Sequence, residues 1–363
     1  MSKREIIANA TKKLFNTHTS NYIFVYTPPK VGSTTLVSSL RVSLSNSYNV
    51  IHIHDEIMLS VLTGINNVKI NDIIEYLYSE GKNVFVIDVY RTPIERKMSE
   101  FFEKISTYHF NNSEENINNY TVKRVSDRFN KLFPHLENGD HYFDKYNIIN
   151  PIQFDFINKY TIQQQNGITY IKLRLCDSKL WGTILSKIFE TDIVLITDYK
   201  TQSKCIGKLY DTFKKEYKLP INYFHIIQTC KYFNFYYNEE ERLSYLNLWR
   251  DSLCDTFTPY TQQEYLFYIN LCLENQYIND IQIEHYIDNG CICKFCIDKR
   301  REIFFRAKKG ETCFEKIIHQ DVINKEVSNR NKQIADVVKN KIQLVNSRKK
   351  YVNNKFKINL HPN

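Results

Sequence analysis

Three groups of residues in this chain have types and spacings suited to chemistry. The first is Pro29-Lys30-Val31-Gly32-Ser33-Thr34-Thr35, which joins an apolar run to a stretch with helical spacing. A turn that opens onto a helix N-terminus offers free backbone N–H groups and the positive end of the helix dipole, so it favours an anion. Gly32 would let the backbone come close, Ser33, Thr34 and Thr35 add hydroxyl donors, and Lys30 adds a full charge. A simple helix cap is the plainer reading of the Ser-Thr-Thr run. The second group, Asp88 to Phe102, puts Arg91 and Ser99 eight residues apart with Pro93 and Arg96 between them. An Arg at the end of an apolar run presents a rigid fork of donors that matches a phosphate. The third is His52-Ile53-His54, imidazoles that titrate near neutral pH and can take up a proton.

The turn and the Arg91-x-Pro93-x-x-Arg96 segment, in that order, resemble the sulfotransferase superfamily. The resemblance is clearest over residues 21–110, thins out to about 250, and is strongest to the carbohydrate and capsular-polysaccharide branch. It implies that Lys30, Val31, Gly32, Ser33, Thr34 and Thr35 hold the 5′-phosphosulfate of PAPS (3′-phosphoadenosine 5′-phosphosulfate). It implies likewise that Arg91 and Ser99 grip the 3′-phosphate. The activity implied is transfer of a sulfuryl group to a hydroxyl, on a carbohydrate acceptor, leaving adenosine 3′,5′-bisphosphate. Such a transfer needs aligned oxygens and stabilisation of the charge that builds on the leaving phosphate. Lys30 and the turn's N–H groups could supply that stabilisation.

The acceptor hydroxyl must also lose a proton. His54 is the expected base, with His52 assisting, and Asp55 or Glu56 are the carboxylate alternatives. His-x-His is also similar to an element of uronyl 2-O-sulfotransferases. Two other readings remain. A P-loop kinase or NTPase would explain Val84-Phe85-Val86-Ile87-Asp88, an apolar strand ending in Asp. However, the Gly-x-x-x-x-Gly-Lys-Ser/Thr motif puts Lys after its second Gly, and here Lys30 precedes Gly32. A non-catalytic protein holding nucleic acid through a basic C-terminal tail is the other, and nucleic acid is the less favoured partner.

These residues need elements to hold them. Tyr22–Tyr26, Tyr48–Ile53, Val84–Ile87, Ile168–Ile171 and Ile193–Ile196 are apolar runs of strand length, separated by helical patterns at Val31–Leu44 and Ile70–Tyr78. Strands apolar throughout and alternating with helices predict an α/β domain in three layers, of P-loop type, around a central parallel sheet. That domain is expected over residues 1–238. A helical C-terminal region is expected over 239–363, with helices at Glu239–Trp249, Gln262–Leu273, Asn279–Tyr286 and Asp321–Lys350.

The chain has 363 residues, 42% of them hydrophobic and 25% charged, which fits a globular protein and excludes a fibrous or wholly disordered one. Its net charge of +9 sits in the tail, where Cys291–Asn363 carries 18 Lys and Arg against 7 Asp and Glu, leaving 31 against 33 elsewhere. Cys291, Cys293, Cys296 and Cys313 could hold a structural zinc ion as four thiolates, with His319 an alternative ligand, or could be free thiols. An apolar stripe along Asp321–Lys350 would pack on the main domain or on a second copy in a homodimer. Scattered single cysteines, the polar N-terminus and the lack of an apolar run long enough to span a bilayer predict a cytoplasmic location.

Overall fold

The computed structural model describes residues 2–262 except 16–18, 45, 110–113, 134–139, 147, 150 and 197–204, together with Tyr265. Its chain order begins α1 (Lys3–Leu14), β1 (Asn21–Tyr26), α2 (Ser33–Leu44), β2 (Tyr48–Ile53), α3 (Glu56–Thr63), α4 (Ile70–Ser79), β3 (Asn83–Tyr90) and α5 (Pro93–Glu103). Short helices α6 (Ile105–Tyr108) and α7 (Glu114–Ile117), then α8 (Val122–Leu132) and α9 (His141–Asp144), lead to β4 (Tyr160–Gln165) and β5 (Ile168–Arg174). Beyond them lie α10 (Trp181–Phe189), α11 (Gly207–Glu216), α12 (Ile221–Gln228), α13 (Lys231–Tyr236) and α14 (Glu239–Arg250). The two-residue strands β6 (Leu219–Pro220) and β7 (Leu253–Cys254) pair with each other.

The main sheet has five strands in the order β2-β1-β3-β5-β4. β1 runs parallel to β2 and β3, and β3 runs parallel to β5, as apolar strands buried on both faces should. β1 shows the alternation directly. Tyr22, Phe24 and Tyr26 join a core with α1, α3 and α4, while Ile23 and Val25 join one with α2 and α10. Helices therefore cover both faces of the sheet. A third apolar cluster runs from Tyr90 and α5 through α8 and α11–α13 to Leu246 and Tyr260.

Two expectations about the sheet need correction. It is mixed rather than wholly parallel, because β4 runs antiparallel to β5 at one edge. Its sequence, Tyr-Thr-Ile-Gln-Gln-Gln, is too polar to read as a buried strand. The hairpin turn is Asn166-Gly167, both at positive φ (51° and 75°), the pairing that suits a tight two-residue connection. Ile193–Ile196 is not a strand. Its N–H groups go to side chains instead: Ile193 donates to Ser186 Oγ, Val194 to Ser43 Oγ and Ile196 to Ser39 Oγ.

At the end of β5, Arg174 is fully buried. It donates to Asp177 at 2.6 Å, to both oxygens of Glu241 at 2.7 and 3.0 Å, and to the Tyr236 carbonyl at 2.8 Å. Phe154 and Tyr237 present their ring faces to it at 4.8 and 4.9 Å. Among the described residues no helix is long and apolar enough to cross a membrane. The expected helices beyond Gln262, the cysteine cluster and the basic tail lie outside the described residues.

Candidate functional site

The chain leaves β1 to build β2 on one side and returns to build β3 on the other. Such a reversal opens a crevice at the C-terminal ends of the strands, where open α/β sheets bind ligands. Both sequence motifs are on that rim: residues 27–32 follow β1, and Arg91 follows β3.

The turn has an uncommon backbone. Lys30 and Gly32 both have positive φ, 68° and 83°. Gly32 also has no room for a side chain: a Cβ would lie 2.7 Å from Leu175 Cδ1 and 3.2 Å from the Trp181 ring. Val31 is completely buried, so it anchors the turn in the core and has only its backbone to offer a ligand. Ser33, Thr34 and Thr35 form the first turn of α2. The Lys30 ammonium lies 3.1 Å from Glu103 Oε2 at the end of α5, with its side chain 16% exposed.

Two side chains hold carbonyls of this turn. Arg91 Nη1 donates to the Lys30 carbonyl at 2.7 Å. His54 Nδ1 is 2.6 Å from the Thr27 carbonyl. A carbonyl only accepts, so the His54 proton is assigned to Nδ1 and Nε2 carries the lone pair. Burial lowers the His54 pKa below the usual imidazole value, against the pull of the Thr27 carbonyl, which favours the protonated ring. The His52 ring stands edge-on to that of His54 at 4.5 Å, and its Nε2 is 2.9 Å from Ser33 Oγ. The imidazoles and the turn thus form one constellation.

The other predicted residues lie around it. Ser99 is on α5, within its buried face and 4% exposed. Of the alternative carboxylates, Asp55 accepts from the Met58 N–H at 2.7 Å and caps α3, whereas Glu56 begins that helix. The predicted thiolate ligands Cys291, Cys293, Cys296 and Cys313 lie outside the described residues.

Sequence reasoning missed a buried charge cluster below the turn. Lys172, on β5 and 1% exposed, makes a short contact with Asp88 Oδ2 and lies 2.5 Å from Asp140 Oδ1. The other Asp88 oxygen accepts from the Val89 N–H at 2.7 Å. Burial raises the Asp88 pKa and pushes Asp140 up to about 6, while the two carboxylates raise that of Lys172 despite its own burial. Asp140, Lys172, Arg91 and the 8%-exposed Arg96 line a cavity with Pro28 and Val31 that has room for about one water, 10 Å³. The Arg96 Nε is buried with no hydrogen-bond partner among the described residues. A charged Lys172 in the middle of the β5 run Ile-Thr-Tyr-Ile-Lys-Leu-Arg was the available signal, since a fully buried Lys is rare unless paired. Asp140 gave none.

No protein-family model, curated protein or solved structure matches this chain.

Proposed function

We propose that this chain is a PAPS-dependent sulfotransferase acting on a hydroxyl, with a carbohydrate as the acceptor class. One observation carries the reading. Two motifs separated by 61 residues meet on one rim, Arg91 bonding to the Lys30 carbonyl, so one nucleotide with an anionic group at each end can reach both. The cradle also suits such a group. Gly32 is held where a Cβ would collide, and the α2 N–H groups face the strand ends.

When bound, PAPS would supply the sulfuryl group and leave as adenosine 3′,5′-bisphosphate. Lys30 and the N–H groups from Val31 to Thr35 would hold the charge that grows at the 5′-phosphate. Arg91 would take the 3′-phosphate through donors other than Nη1. His54 Nε2 would accept the acceptor's proton, and the Thr27 carbonyl keeps that nitrogen unprotonated.

The kinase or NTPase reading fares worse on a specific contact. Asp88 stands at the strand end where such enzymes hold magnesium, yet both of its oxygens are taken, one by Lys172 and one by the Val89 N–H. A buried ammonium stands where the metal would be needed.

Thermal shift of the full chain separates the two. Adenosine 3′,5′-bisphosphate at a hundred times its dissociation constant should add about 2.7 kcal/mol of stability, and a co-crystal should show it spanning Lys30 and Arg91. Stabilisation by ATP with magnesium, and none by the bisphosphate, would overturn the proposal.

A further inference from the structure

We infer that Arg91 is a positioning residue for the anion turn, over and above any contact it makes with a ligand. This rests on the proposed PAPS-dependent reading of the site and adds a second role for the same side chain.

Arg91 acts on the peptide between Lys30 and Val31. A peptide unit is planar and trans, so its C=O and N–H point in opposite directions. Arg91 Nη1, 2.7 Å from the Lys30 oxygen, therefore fixes the direction of the Val31 N–H as well. The residue on one side of this peptide has a φ that costs a non-glycine residue about 1–2 kcal/mol, so the turn's conformation needs an external hold. Val31 gives one hold, its side chain being fully buried. Arg91 gives another, reaching across from β3. The Thr27 carbonyl at the start of the turn is gripped in the same manner by His54. There the following residue is Pro28, which has no N–H to orient. The Lys30–Val31 peptide is thus the one where pinning the carbonyl also aims a donor.

Arg suits this double task. It has five N–H donors on a rigid plane, and the bond from Nη1 is its one hydrogen bond among the described residues. Arg91 also lines the small cavity beneath the turn with Arg96 and Lys172. Its remaining donors could hold a phosphate while Nη1 keeps the turn in shape. A nucleotide gripped at its 3′ end would thus stiffen the loop that holds its 5′ end.

The test compares PAPS with adenosine 5′-phosphosulfate, which differs only in lacking the 3′-phosphate, by calorimetry on the full chain. If Arg91 also positions the turn, Arg91→Ala should weaken adenosine 5′-phosphosulfate about tenfold, as expected for one charge-assisted hydrogen bond, and weaken PAPS further. Arg91→Lys keeps a charge but has one nitrogen to serve two places. It should recover part of the affinity for one ligand but not full affinity for PAPS, and it stands in should the alanine variant fail to fold. Adenosine 5′-phosphosulfate binding equally to wild type and both variants, with PAPS weakened, would overturn the inference and leave the proposed function standing. Failure of wild type to bind either nucleotide would overturn both.

Discussion

His54 Nδ1 and the Thr27 carbonyl oxygen are 2.6 Å apart, tying the start of the anion turn to the residue just past β2. The bond fixes the tautomer, and burial lowers the ring's pKa. The proposed base, its pKa depressed by burial, is unprotonated at neutral pH. The acidic limb of the kcat/KM profile is therefore expected below pH 6.5, the usual imidazole value. His54→Ala should lower turnover by about 10²–10⁴-fold while cofactor affinity changes little. Normal turnover in a folded His54→Ala protein would remove His54 as the base.

Lys30 combines the charge proposed to hold the cofactor with a costly backbone conformation. Glycine adopts positive φ freely, whereas alanine keeps the strain. Lys30→Gly should therefore be more stable than Lys30→Ala by about 1 kcal/mol in urea denaturation. Both should lack the proposed sulfuryl transfer, since neither carries an ammonium.

Gly32 is the converse case. Gly32→Ala adds a methyl group that must displace Leu175 and press on Trp181, at a φ alanine resists. A loss of about 1–3 kcal/mol is expected, with cofactor affinity falling because the turn cannot keep its shape. Unchanged melting temperature and affinity together would show that the turn is not sterically fixed.

Removing Lys172 would leave Asp88 and Asp140 buried without their ammonium. Lys172→Met should cost about 3–5 kcal/mol, the usual penalty for breaking a buried pair from one side. Adding Asp88→Asn should restore part of it. Additive losses in the double variant would mean that the two residues are not coupled.

The acid response of stability includes opposed contributions from His141 and Asp140, beside those of His54 and Asp88. Burial lowers His141 to about 4, so the unfolded chain takes up this proton first and stability falls as pH drops from 6.5 towards 4. Asp140, raised to about 6, has the opposite sign: the folded chain protonates first, and stability rises as pH drops from 6 towards 3.8. The two largely offset each other between pH 6 and 4. His141→Gln removes the His141 contribution alone, so stability should fall less, or rise more, across that window than in the wild type. A denaturation series from pH 7 to 4 reads this directly.

Much of this site could be read from the residues because it is local. Pro29–Thr35 is continuous, and strand, turn and helix follow one another as the apolar pattern requires. The His52 and His54 side chains share a strand face by period alone. The buried charges could not be read in this way, because Asp88, Asp140 and Lys172 belong to three segments that meet only after the sheet assembles. The β4 strand escaped for a related reason. Thr161 and Gln163 are buried polar residues, the Gln163 carbonyl accepting from Tyr142 at 2.6 Å, so apolar alternation was the wrong signature. The Asn166-Gly167 pair was the better clue. Ile193–Ile196 misled in the other direction, being apolar enough for a strand but bonded to serines.

Arg174, in register with Tyr90 at the C-terminal end of β5, ties the sheet to the fate of the helices beyond it. A chain cut after Asn238 would lose Glu241, leaving a buried cation with Asp177 as its one carboxylate partner among the described residues. Unravelling should therefore be shared. Amide protons of β5 and of α14 are expected to exchange with solvent as one unit, and binding of the proposed nucleotide at the strand ends should slow exchange in both.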